Sequence, residues 1–211
     1  MRNVLLLFFV AFSLNGFSQN WNLINKKYEY HYALNGEYNT TIKVDSFDVI
    51  AIDTVFFLSR IVTPEGNISR LYNQPTFLQR QVIKQINDFS FSDTSSFIIK
   101  PTENINTPWV FDASLNILAE IISLTQENFL GVTDSVKTIL LSSNDTIKIS
   151  KNNGILNFKN FKLIGLKKTN NSLGFYLPDF YDFYNFNVGD VFQYEEVNVY
   201  NPAAIDENKK Y

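Results

Sequence analysis

The sequence predicts a mostly β protein: an antiparallel β-sandwich, open barrel or meander, with room for one or two short helices. Three observations carry this expectation. Apolar and polar residues alternate with period two along much of the chain, an Asn-Gly pair separates two such runs, and short strand-like segments divided by Asn-rich turns follow Gly131.

The first run, Lys27–Leu34, places Tyr28, Tyr30, Tyr32 and Leu34 on one face and Glu29, His31 and Ala33 on the other, so one side packs and the other is largely wet. Asn35-Gly36 then turns the chain into Thr41–Asp45, which alternates again through Ile42 and Val44. Thr54–Val62 is apolar on both faces except at Ser59 and Arg60, as a strand covered on both sides requires. Pro64-Glu65-Gly66-Asn67 supplies turn chemistry after it. Two segments fit either a helix or a strand. One is 75–87, with Phe77, Leu78, Val82, Ile83 and Ile86, where strand is the preferred reading. The other is 114–124, where Leu115, Leu118 and Ile122 suit a helix capped by Asp112 or Ser114, and Leu115, Ile117, Ala119 and Ile121 suit a strand. Strands are then expected at 135–141, 146–150, 155–158, 161–166, 173–177 and 191–200. Residues 20–200 read as one β-rich domain and 201–211 as a polar tail or the start of a linker.

Ahead of this domain, Arg2 and an uncharged apolar run from Val4 to Leu14 precede the small residues Gly16 and Ser18, the pattern of a signal peptide over residues 1–18. The run is too short to span a bilayer, and no later apolar run is long enough for a transmembrane anchor. The pattern is that of an exported protein. A chain of 211 residues with 45% hydrophobic side chains can bury a substantial core without staples.

Composition excludes several chemistries. With no cysteine there is no disulfide, thiolate nucleophile or Cys-based metal site, and a single histidine rules out centres that need two imidazoles. The formal net charge of −3, without runs of like sign, disfavours a nucleic-acid partner. His31 is the one imidazole available as a base, but no Gly-x-Ser-x-Gly nucleophile turn accompanies it, and it reads as a polar strand residue. Asp45, Asp48 and Asp53 offer oxygen ligands of the kind calcium takes, yet lack the loop spacing of a calcium site. No catalytic residue, metal ligand or cofactor is assigned.

Between Phe175 and Tyr194 stand nine aromatic residues, of which Tyr181, Tyr184 and Tyr194 are the candidate ligand-stacking rings for a glycan or an envelope or extracellular protein. The same stretch carries Asp179, Asp182, Asp190, Glu195 and Glu196, from which a carbohydrate-active hydrolase could draw its two carboxylates. A non-catalytic binding or structural module is the first reading and that hydrolase the alternative.

Trp21 after the signal segment, VDS at 44–46, DTVFFLSRIV at 53–62, NQPTFLQR at 73–80, TPWVFD at 107–112, DSVKTILLS at 134–142, ISKNNGILNF at 149–158 and YDFYNFNVGDVFQYE at 181–195 together resemble an uncharacterised group of exported Bacteroidota proteins. Members of that group often carry a C-terminal type IX secretion sorting domain, which is not visible in these residues. The resemblance implies export, to the extracellular space or cell surface if the sequence belongs to a longer chain and otherwise to the periplasm, and supplies no activity. It also implies O-glycosylation at Asp-Ser/Thr-aliphatic triplets, here with Thr54, Ser135 and Thr146 as acceptors.

Overall fold

The structure, a computed structural model, describes residues 20–62, 70–72, 77–93 and 95–178. Among these residues the secondary structure is strand throughout, with no helix. Fourteen strands follow in order: β1 (Glu29–Leu34), β2 (Glu37–Ile50), β3 (Asp53–Val62), β4 (Arg70–Tyr72), β5 (Gln81–Gln85), β6 (Asp88–Ser92), β7 (Ser96–Ile99), β8 (Trp109–Asp112), β9 (Ile117–Phe129), β10 (Val132–Leu141), β11 (Thr146–Ser150), β12 (Gly154–Phe158), β13 (Phe161–Lys167) and β14 (Leu173–Gly174). They form one antiparallel sheet whose path runs β7-β6-β5-β3-β2-β1-β13-β12-β11-β10-β9-β8, with β4 beside β3 and β14 beside β13. By contacts the chain divides into Met1–Leu177, which holds this sheet, and Pro178–Tyr211.

The two ends of the path approach each other. The Trp109 indole N–H donates to the Ile98 carbonyl at 2.9 Å, and the Phe97 and Phe111 rings stack at 5.0 Å, so side chains bridge the seam that no ladder closes. The result is a nearly closed barrel. A wide barrel needs bulky side chains to fill it, and here a run of rings crosses the interior. Tyr32 meets Phe77 edge-on at 4.8 Å, Phe77 packs on Phe158 at 5.5 Å, Phe158 on Phe97 at 5.2 Å, and Phe97 stacks on Phe91 at 4.7 Å. The Tyr32 hydroxyl, fully buried, donates to the Ile155 carbonyl at 2.9 Å, which satisfies the polar end of an otherwise apolar insertion.

Turn chemistry acts where the sequence placed it. Asn35 (φ 54°) and Gly36 (φ 92°) both take left-handed geometry and join β1 to β2. Both ambiguous segments resolve as turn plus strand. In 75–87, residues 77–78 turn and Gln81–Gln85 is β5; in 114–124, Asp112 holds a turn through its Oδ1, which accepts from the backbone N–H groups of Ser114 at 2.9 Å and Leu115 at 3.1 Å. That bonding pattern resembles a helix cap, but Asn116 at φ 52° breaks away into β9, whose Ala119 and Ile121 point into the core. The strand expected at 173–177 shrinks to Leu173–Gly174, and that at 191–200 lies outside the described residues.

The largest correction concerns the outer face of β1. His31 and Ala33 were expected to be wet, yet both are buried. The segment after β14 lies over His31, and Gly165 permits it: a Cβ there would overlap the Phe175 backbone. Thr41, opposite His31 in the ladder, is buried as well.

Candidate functional site

A long hairpin dominates the outer surface on one side. β9 and β10 pair from Ala119 with Leu141 out to Phe129 with Val132, beyond the reach of β8 and β11. The Leu130-Gly131 tip turns through positive φ at both residues, and Leu130 packs close to Gly174. The hairpin therefore bends over the outside of the barrel. Between it and the sheet lies a cleft of about 470 Å³ lined by Glu127, Phe129, Leu130, Lys148, Asn157, Lys162 and neighbouring aliphatic residues. That volume is in the range of small-ligand sites.

Glu127 is held by Lys148, whose ammonium donates to both carboxylate oxygens at 2.9 Å. Such a two-pronged pair fixes one wall and occupies the carboxylate. Phe129, Leu130, Leu156 and Ile164 give an apolar body, while the Asn157 amide and the exposed Lys162 ammonium supply polar ends. This arrangement suits the binding of a ligand with one hydrophobic face and hydroxyl or anionic groups.

Where Leu130 meets Gly174, the chain continues into Phe175 and Tyr176, whose rings stay 45% and 43% exposed. Phe175 is braced on one side by Tyr38, ring centroids 5.4 Å apart, and edge-on by His31 at 6.1 Å. The Lys167 ammonium lies 5.7 Å from the Tyr176 ring centre. Held rings of this kind offer flat faces to a partner with little further ordering cost.

His31 lies beneath them, buried. Its Nδ1 is 2.6 Å from the Thr41 hydroxyl, which in turn is 3.0 Å from the Tyr38 hydroxyl. Its Nε2 has no hydrogen-bond partner among the described residues. Burial, aided by the nearby Lys167 charge, lowers its pKa to about 4, so the ring is neutral and hidden at physiological pH.

Asp134 forms a second polar centre. Its carboxylate, buried, accepts from the Ser150 hydroxyl, from the Asn152 backbone N–H at 2.8 Å, and from the side-chain amides of Asn152 at 3.0 Å and Asn153 at 3.1 Å. Lys168 reaches Asn153 Oδ1 at 3.0 Å, and burial lowers the pKa of its ammonium against the raising influence of Asp134. The network fastens the 151–153 turn to β10, and Gly154 follows because a Cβ there would crowd the Leu23 carbonyl and the Tyr30 ring at 2.8 Å. It is a structural joint, and every carboxylate lone pair it engages serves the fold.

The acceptor candidates fall in three settings. Thr54 is half-buried in β3, Ser135 is half-buried with its hydroxyl accepting from Gln126 at 2.8 Å, and Thr146 is exposed at the start of β11. Asp45 and Asp48 are exposed on β2, and no group of three potential ligands able to hold a metal ion occurs among the described residues. Tyr181, Tyr184 and Tyr194, with Asp179, Asp182, Asp190, Glu195 and Glu196, lie outside the described residues. Sequence reasoning missed the cleft, since Glu127, Lys148 and Lys162 come together only through the bend of the hairpin. Among the described residues no helix is long and apolar enough to cross a membrane. No family model, curated protein or solved structure matches the chain.

Proposed function

We propose that this protein is an exported, non-catalytic binding module of the cell envelope or the extracellular space, and that it takes a glycan across the face formed by Phe175, Tyr176 and the adjoining cleft. The braced, half-exposed Phe175–Tyr176 pair carries the reading. Sugar rings present C–H faces to aromatic planes and hydroxyls to flanking polar groups, and Asn157, Lys162 and the Glu127–Lys148 pair stand along the same side of the hairpin. The apolar segment ahead of residue 19 supports export. The engagement of His31, Asp134 and Glu127 in structural bonds supports a binding role over a catalytic one.

Screening the purified protein on an array of glycans and envelope polymers, read for both retention and product release, tests this reading. Retention without products, weakened at least tenfold in Phe175→Ala and Tyr176→Ala, is the expected result. Released products that disappear in Asp182→Asn or Asp190→Asn would replace the module with a hydrolase.

A further inference from the structure

The β2–β3 hairpin reaches past the strand on its other side. β1 pairs with Glu37–Lys43 of β2, while β3 accompanies β2 out to Ile50, so Val44–Ile50 has a ladder on one edge only. Residues 45–50 are all exposed, and no backbone hydrogen bond other than those to β3 is made by Val44–Ile50 among the described residues. An unpaired edge of this length, rich in residues that favour strands, is a template for another strand.

The tip breaks ordinary turn chemistry. Where Asn, Asp or Gly would be expected, the chain reads Val49-Ile50-Ala51-Ile52, with Ala51 at φ 56° and Val49, Ile50 and Ile52 exposed by 66%, 64% and 75%. Apolar residues held in such a place point to a surface that is covered in the working protein.

We infer that the free edge of β2 pairs antiparallel with the same edge of a second copy of this chain, about a two-fold axis at Phe47, extending the sheet across two molecules. The sequence favours that register over its neighbours. Centred on Phe47, Ser46 meets Asp48 and the two Phe47 rings face each other, while Val44 and Asp45, where β2 bulges against β3, come opposite Val49 and Ile50. Registers centred on Asp45, on Asp48 or between Ser46 and Phe47 set carboxylates directly opposite one another, which is unfavourable. The Lys26 ammonium, 4.0 Å from the Phe47 ring centre, lies beside the axis, where the approaching strand brings its Asp45 and Asp48. Because each copy uses the same edge, the pairing closes at a dimer. The inference is independent of the glycan reading, since Val44–Ile50 contributes no residue to the Phe175–Tyr176 surface.

The chain contains no cysteine, so an introduced one reports on the axis without background. Two residues directly opposite on antiparallel strands have Cα atoms roughly 4.5 to 5.5 Å apart, within disulfide range. Under mild oxidation with copper phenanthroline, Phe47→Cys is expected to form a covalent dimer, and Ile52→Cys, more accessible but off the axis, is expected to remain monomeric. Light scattering of the purified protein should show a dimer that Phe47→Lys converts to monomer with an unchanged far-UV circular dichroism spectrum, and any fall in melting temperature should be limited to the loss of association. A wild-type protein monomeric up to roughly 100 µM, a dimer that survives Phe47→Lys, or equal crosslinking at Ile52 would overturn the inference.

Discussion

The Phe175 backbone lies directly against the α-carbon of Gly165, so closely that even one methyl group at that position would overlap the Phe175 carbonyl. This contact decides how the outer face of β1 is covered. Phe175 N–H also donates to the Ile164 carbonyl at 3.0 Å, so the segment is stitched as well as packed.

Gly165→Ala should therefore lift the segment from the sheet and open His31 to water. A loss of about 2 to 4 kcal/mol is expected from overpacking and the newly exposed apolar surface. Thermal melting reads the loss, and the His31 pKa followed by NMR should rise from about 4 toward the ordinary imidazole value of 6.5. An unchanged His31 pKa would show that something other than this segment shields it.

His31 also sets a pH dependence. Its folded pKa, about 4, lies below the ordinary imidazole value of 6.5, so the unfolded chain takes up a proton that the folded chain resists. The contribution to stability is fully present above pH 6.5 and is lost as pH falls toward 4. The wild type should lose about 3 kcal/mol across that window from this group alone. In His31→Gln the corresponding part of the pH slope should vanish, as measured by urea titrations at several pH values.

Asp134→Ala strands the Ser150 hydroxyl and the side-chain amides of Asn152 and Asn153, and releases the turn that precedes β12. A cost of about 2 to 4 kcal/mol is expected, because two buried groups, Ser150 and Asn153, lose their carboxylate partner at once. Hydrogen exchange should show the amides of Ile149–Leu156 losing protection before those of β5–β7, and uniform loss would refute a local joint.

At the barrel seam, Trp109→Phe keeps most of the ring and removes the N–H that reaches Ile98. About 1 to 2 kcal/mol should be lost, with faster exchange at β7 and β8 than at β1. An effect spread evenly over the sheet would assign the seam no special part in closure.

Much of the strand framework was legible from local pattern. The Asn35-Gly36 hairpin, the alternation of Tyr30 and Tyr32, and β11 at Thr146–Ser150 depend on turn geometry and period-two burial, which neighbouring residues encode. The segments around Ile83 and Leu118 were ambiguous because a short apolar run satisfies both periods, and only partner strands select one.

By itself the sequence determined the β class, the lack of thiol and multi-imidazole chemistry, and the aromatic supply for a wide core. Tertiary structure alone decided that His31 is buried, that Glu127 and Lys148 form one wall of a cleft, and that half of β2 has a free edge. The reason is the same in each case. Alternation tells which side chains share a face of a strand, but whether that face or edge meets water depends on segments distant in sequence, such as Phe175 over Gly165, whose approach no local pattern records.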